Sequence, residues 1–248
     1  MLDYDKEAAS YDATRGGEPR AAAAARAVAA LLPPETRRLI DLGCGTGIVT
    51  ARLPGAAVGI DRSAGMAAVA AVRLPGRIAV SDVTRLPVAS GAADAVTVIW
   101  LLHLLEPAES AAAIAEVARV LRPSGVLITT VNKSDAAYHD GDDAAMLIRD
   151  VWSAVAGPKS DDERRVTQFA AEHGMVPAGT ATFRGEGQGR SPLKWRAMLS
   201  SGRFFEAQLV DEPRMRALDE AIAALPDQHR PRPEPVYTLL ALRTAGPV

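Results

Sequence analysis

From residue 37 onward, short apolar runs rich in Val, Ile and Leu alternate with Ala-rich stretches of helical character. This is the pattern of a parallel sheet covered on both faces, and it predicts a doubly wound α/β fold. The predicted strands are Arg38 to Leu42, Ala57 to Asp61, Arg77 to Val83, Ala93 to Leu101 and Gly125 to Val131. Helices are expected to start near Gly47, Ser63 and Glu106, the last with Pro107 in its first turn, where a missing N–H is harmless. Arg122-Pro123-Ser124-Gly125, followed at once by Val126-Leu127-Ile128, reads as a helix-to-strand turn. Ahead of the first strand, Ala21 to Leu32 reads as a packed helix, interrupted by Arg26 and too short to span a bilayer.

After residue 134 the rhythm changes. A polar stretch, Ser134 to Asp143, leads to a helix near Ala144 to Ala156 and a second from about Asp161 to His173, followed by a strand at Ala178 to Phe183. Gly185 to Pro233 is glycine-rich and then helical, before a last strand at Val236 to Leu242. Seven of the eleven aromatic residues (Tyr4, Tyr11, Tyr138, Trp152, Trp195, Phe204 and Phe205) fall outside the predicted sheet core, which suggests a cap over a pocket or surface helices with aromatic anchors. The expected organisation is one domain over 1–248, with an N-terminal lid and helix at 1–32 and cap insertions at 134–157 and 185–233. Tyr138, Arg190, Trp195 and Arg203 combine aromatic area with fixed charge near glycine-rich joints and are expected on the acceptor side of the pocket. Gly185, Gly187 and Gly189 read as a hinge or as a simple loop.

Charge and cysteine content narrow the partners. Against 30 acidic residues stand 28 basic ones, a formal net charge of -2, with no basic run longer than a pair, which disfavours nucleic acid and anionic membranes. The single cysteine, Cys44, excludes an internal disulfide framework, and no metal site is expected. Residues 1 to 20 are polar and carry Asp3, Asp5, Glu7 and Asp12, unlike a secretion signal, so a cytoplasmic monomer or homodimer is expected.

The strongest local signal is Ile40-Asp41-Leu42-Gly43-Cys44-Gly45-Thr46-Gly47, an apolar strand that ends in an acid and enters three alternating glycines. Without a Cβ, such a turn lets backbone N–H and C=O groups touch a bound molecule. The next strand ends at Asp61, whose two oxygens can accept both hydroxyls of a ribose. A dinucleotide site shares that spacing. The glycines, however, follow G-x-G-x-G rather than the G-x-G-x-x-G that seats a pyrophosphate, which favours a ligand without phosphates.

With these residues in hand, the chain resembles the class I S-adenosylmethionine-dependent methyltransferases from Asp41 to about Val131. Ser81-Asp82-Val83 with Leu86-Pro87 is similar to the family's third-strand motif, which implies that Asp82 accepts from the adenine amino group and that the Val83 N–H meets the ring. Asp94-Ala95-Val96 resembles the fourth strand, and Leu121 to Leu127 the turn into the fifth. Tyr11-Asp12-Ala13-Thr14-Arg15-Gly16 resembles the segment that folds over the cofactor in small-molecule members, which implies contacts from Tyr11 and Arg15 to its methionine carboxylate. The region from Phe183 to Arg243 is similar in general to methyltransferases of bacterial secondary metabolism. The resemblance implies a seven-stranded sheet with its last strand antiparallel. It also implies an S-adenosylmethionine cofactor, released as S-adenosylhomocysteine, held by Tyr11, Arg15, Asp41, Gly43, Cys44, Gly45, Asp61, Arg62, Met66, Asp82, Val83 and Trp100. Arg62 departs from the pattern, in which an apolar residue follows the ribose acid; either its guanidinium stacks on the adenine or Met66 supplies the apolar contact. Cys44 reads as a packing residue.

Methyl transfer from a sulfonium is an in-line displacement from an activated donor, so no covalent intermediate is expected and a general base depends on the acceptor. After the fourth strand the chain reads Trp100-Leu101-Leu102-His103, without the Asn/Asp-Pro-Pro-aromatic turn of amino-group methyltransferases acting on adenine or glutamine. A small organic acceptor follows, with O- or N-methylation favoured. By resemblance His103 faces the transferred methyl group, either as a base for a hydroxyl proton or as an orienting or packing residue. His139, His173 and His229 read as solvent-facing. A cofactor-binding protein that no longer transfers methyl groups, and an NAD-dependent oxidoreductase, are the alternatives.

Overall fold

The computed structural model describes residues 3–139, 141–157, 159–201 and 208–246. Seven strands form one sheet: β1 (Leu39–Leu42), β2 (Val58–Asp61), β3 (Ile78–Val80), β4 (Ala93–Val98), β5 (Leu121–Val131), β6 (Met175–Arg184) and β7 (Val236–Thr244). Their order is β3-β2-β1-β4-β5-β7-β6. β1 to β5 are mutually parallel, and β7 runs antiparallel to both β5 and β6. The expected doubly wound Rossmann-like sheet with an antiparallel last strand is what the chain forms. The central strands β1 and β4 are buried at every position, as unbroken apolar runs require when helices cover both faces. Because β1 leads outward to β2 while β4 lies on its other side, the chain reverses direction between β1 and β4. The carboxyl ends of the strands open a crevice there.

One face of the sheet is covered by α5 (Pro107–Val120) and α7 (Glu163–Ala171), and the other by α3 (Gly17–Leu31). α3 buries Ala21, Ala23, Ala24, Ala25, Ala27 and Val28. Alanine loses no side-chain entropy on folding and lets a helix lie close to the strands. Fully buried side chains such as Leu42, Leu127 and Ile128 each contribute about 1.5–3 kcal/mol of transfer free energy. A third apolar cluster stands apart from the sheet, joining α6 (Asp143–Trp152), α8 (Pro192–Ser200) and α9 (Glu212–Ala223) around Ile148, Trp195 and Ile222. Two short helices, α1 (Tyr4–Glu7) and α2 (Tyr11–Thr14), precede α3, and α4 (Ala64–Arg73) follows β2. Among the described residues, no helix is long and apolar enough to cross a membrane.

Several boundaries differ from expectation for local reasons. No α-helix starts at Gly47; the chain makes turns and then a single 3-10 turn, Thr50–Arg52. Three β-branched residues, Ile48 to Thr50, disfavour a helix there, and Pro54 forces Leu53 into extended geometry. β3 stops at Val80 because Asp82 Oδ1 accepts from both the backbone N–H and the hydroxyl of Thr84 and bends the chain. β4 stops at Val98, two residues before Trp100 takes a left-handed φ of 57°. β6 starts earlier than expected, at Met175, because an edge strand tolerates Pro177, with a register shift between Pro177 and Gly179.

Candidate active site

The crevice holds a cavity of about 380 Å³, lined by the carboxyl ends of β1 to β4, the start of α4 and the N-terminal segment. Its floor is the glycine turn. The Gly43 and Cys44 N–H groups both donate to the Ile60 carbonyl, which joins the ends of β1 and β2. Gly45 has φ +55°, and a Cβ there would meet no protein atom within 4 Å. A side chain at Gly45 would therefore extend into the space a ligand needs. Gly43 is constrained differently, with φ +67° and Leu101 3.0 Å from where a Cβ would stand. Cys44 packs its sulfur over Gly59, and burial pushes its thiol pKa up, which leaves it protonated and unreactive.

Three carboxylates stand around this floor in different states. Asp41 is buried, accepting from Thr50 Oγ1 at 2.5 Å and Thr97 Oγ1 at 2.7 Å. Burial pushes its pKa up to about 6 against the lowering effect of those two hydroxyls. Asp61 accepts from the Gly45 N–H at 2.8 Å and the Ser63 N–H at 2.9 Å, one on each oxygen, and keeps lone pairs directed at the cavity mouth. The Thr84 N–H and hydroxyl hold the Asp82 pKa low, and its Oδ2 has no protein donor among the described residues.

The N-terminal segment closes over the cavity, contributing Asp3, Tyr4, Asp5 and Tyr11 to its wall. Asp5 Oδ1 accepts from Ser63 Oγ at 2.6 Å and the Gly65 N–H at 2.8 Å. Asp12 accepts from Thr46 Oγ1 and from Arg73 Nη2, both at 2.6 Å. Two carboxylates thus fasten α1 and α2 to the glycine turn and to both ends of α4.

On the opposite side stands the turn after β4. The Trp100 N–H donates to Thr130 Oγ1 at 2.8 Å, and its ring meets Phe183 and Tyr237 edge-on. The Arg20 guanidinium lies 3.6 Å from the ring centroid, within cation–π range, and its Nη1 donates to the Arg15 carbonyl at 2.6 Å. Arg190 stacks on Trp195 at 4.5 Å. Burial, reinforced by Lys133, Arg20 and Arg15, holds the His103 pKa well below 6.5, so the imidazole is neutral at pH 7. Burial and the positive charges of Arg15, Arg190 and Arg20 likewise bring Lys133 down to about 8.

Of the residues expected at the cofactor, Tyr11, Asp41, Gly43, Cys44, Gly45, Asp61, Arg62, Met66, Asp82, Val83 and Trp100 line this one cavity. Arg15 is outside the lining, with its guanidinium 5.6 Å from the Tyr11 ring centroid. None of Tyr138, Arg190, Trp195 and His103, expected on the acceptor side, lines this cavity. Trp195 is 2% exposed in the core of the α6–α8–α9 cluster, its Nε1 donating to Asp142 Oδ2, because an indole of that size is the natural centre of a small apolar core. Tyr138 packs against the same cluster. His103 is also outside the lining, since the 3-10 turn Leu102–Leu104 directs Leu104 to the cavity in its place. Arg190 faces the cations described above, and Arg203 lies outside the described residues. Sequence reasoning missed Asp5, Arg20, Ser63 and Lys133. Arg20 was detectable, since it shares a helical stripe with buried Ala24 and Val28. Lys133 follows the carboxyl end of a parallel strand, where α/β sites form.

A family profile described as a methyltransferase domain matches residues 40–129, which run from β1 through the glycine turn to β5. The chain is 30% identical over 205 residues to the demethylmenaquinone methyltransferase of Mycolicibacterium vanbaalenii, covering 78% of this chain and 86% of that one. The chain belongs to the class I S-adenosylmethionine-dependent methyltransferases. Solved structures share the fold of this methyltransferase. The cyclase SpnF matches at TM-score 0.60 and 20% identity over 98% of this chain and 95% of its own. Geranyl diphosphate C-methyltransferase from Streptomyces coelicolor A3(2), in complex with Mg2+, geranyl diphosphate and S-adenosyl-L-homocysteine, matches at 0.51 and 16% identity over 99% and 85%.

Proposed function

We propose that this methyltransferase uses S-adenosylmethionine to methylate a small organic acceptor on oxygen or nitrogen by in-line displacement. The observation that carries the reading is the set of groups left open around one cavity: the clear space over Gly45, the remaining lone pairs of Asp61 and the unpartnered Oδ2 of Asp82. These suit an adenosine. Asp61 would accept the ribose hydroxyls, and Asp82 and Val83 would meet the adenine, with Met66 and Arg62 flanking its plane. Tyr11 and Arg15 would hold the methionine carboxylate. When bound, the cofactor supplies a methyl group already activated on a sulfonium.

The remaining work falls to the protein. Residues 1–32 act as a lid that excludes water, and segments 134–157 and 185–233 cap the acceptor side of a single domain. Trp100 separates the two binding regions. His103, held neutral, is the candidate base for a hydroxyl or ammonium proton, with its buried Nδ1, which meets no partner among the described residues, as the accepting atom.

Isothermal titration with S-adenosylmethionine, S-adenosylhomocysteine and NAD tests the reading. Micromolar binding of the first two, lost in Asp61→Ala, is expected; binding of NAD alone overturns it.

A further inference from the structure

Twelve of the described arginines are neutralised by a named carboxylate, as Arg73 is by Asp12, Arg196 by Asp219 and Arg232 by Asp143. Three cations beside the Trp100 turn, one buried and two half-buried, are not. Arg20 of α3, Lys133 at the carboxyl end of β5 and Arg190 ahead of α8 form no salt bridge among the described residues. Of the two acids nearest them, Asp161 faces Lys133 without forming an ion pair and Asp142 is taken up by other donors. Asp161 Oδ2 accepts the Lys133 backbone N–H at 2.8 Å. Asp142 accepts from the Ala145 N–H and from Trp195 Nε1. Arg20 is 8% exposed, and the Trp100 Nε1–H beneath it is buried with no acceptor among the described residues. Gathering like charges away from water is unfavourable unless something of opposite sign arrives. Arg20 also lines the cavity read as the cofactor's, but one methionine carboxylate calls for about one cation and the sulfonium adds positive charge, so the cofactor alone leaves the group short of negative charge.

We propose that Arg20, Lys133 and Arg190 form an oxyanion subsite for the acceptor, so that the molecule methylated carries a carboxylate or phosphate group. The inference deepens the proposed function and rests on it. Arg20 stacked on Trp100 and Arg190 stacked on Trp195 both stand near Lys133, which follows β5 with its backbone N–H bound to Asp161. Lys133, faced by Arg15, Arg20, Arg190, His103 and the single acid Asp161, has a pKa of about 8. Anion binding therefore takes up protons near that pH and weakens above it.

The test titrates inorganic phosphate, pyrophosphate and benzoate into protein saturated with S-adenosylhomocysteine, against chloride at matched ionic strength, by thermal shift and calorimetry. At least one oxyanion is expected to raise Tm above the chloride reference, benzoate or the phosphates telling a carboxylate from a phosphoryl site. Lys133→Met and Arg190→Gln should weaken that oxyanion by about tenfold or more, while binding S-adenosylhomocysteine like the parent. Wild-type affinity should fall between pH 7 and pH 9. No effect beyond chloride, or variants that bind the oxyanion as the parent does, overturns the subsite. Failure of S-adenosylhomocysteine to bind is a separate result that overturns the cofactor reading, and the same anion titration on the protein alone then still decides the subsite.

Discussion

The two sides of the Trp100 turn are opposite in charge. On the glycine-turn side, Asp3, Asp5, Asp41, Asp61 and Asp82 line the cavity, and the backbone supplies many of their donors. Toward the far side Lys133, Arg15 and Arg20, the last also lining the cavity, stand near His103, and Arg190 stands near Lys133, with almost no acid to balance them. The first side keeps open the few acceptors that an adenosine would use and resembles a site shared by a family. The second is left electrostatically incomplete, the condition expected where a particular ligand supplies what the protein lacks.

Substitutions on the two sides should therefore separate. The largest effect is expected from Asp61→Ala, which removes two pinned backbone N–H contacts along with the ribose acceptor. S-adenosylhomocysteine affinity should drop by on the order of a hundredfold, about 3 kcal/mol, with phosphate binding at the cationic side unchanged. Calorimetry showing both ligands lost together would merge the two sides into one. Next in size is Asp41→Asn. A buried acid whose pKa rises from 3.8 to about 6 makes the fold less stable as pH climbs through that interval. Asparagine removes this penalty, so Tm of the variant relative to the parent should improve from pH 4 to pH 7 by the equivalent of about 2–3 kcal/mol. A constant difference across that range would show that Asp41 is ionised at no cost.

Gly43→Ala should destabilise by roughly 1–3 kcal/mol, because a left-handed φ and the crowding of Leu101 act together. Gly76→Ala, with φ +71° and open space around it, isolates the conformational share and should cost less. Equal urea midpoints for the two would discount the Leu101 contact. The smallest effect is expected at His103. With its folded pKa depressed, the unfolded chain binds the proton more readily, so stability falls as pH drops through the unfolded value near 6.5. His103→Asn should flatten that limb of a Tm profile between pH 7 and pH 5.

The sequence revealed the first side far better than the second, for a physical reason. Glycine turns and strand-end acids are local: Gly43, Gly45, Asp61 and Asp82 announce themselves by spacing, because each must sit at the end of a strand. The cationic side is assembled from α3, β5 and the approach to α8, and only the folded chain puts residues 20, 133 and 190 together. Trp195 shows the same limit: only the folded chain seats it in the α6–α8–α9 cluster, since aromatic area alone marks a small core as readily as a pocket. The missing helix after Gly47 was legible in Pro54, had the short distance between them been weighed.

The fastening of the N-terminal segment has a consequence in time as well as in space. Asp5 and Asp12 bind partners 34 to 61 residues further along the chain, yet the segment contributes no strand to the sheet. This segment therefore has nowhere to dock until β1, the glycine turn and α4, all later in the chain, have been synthesised. Once docked it can swing away by parting a handful of side-chain contacts, leaving every strand pairing in place. The segment that docks only after the glycine turn and α4 exist is tied to them by side-chain carboxylates and by no strand pairing.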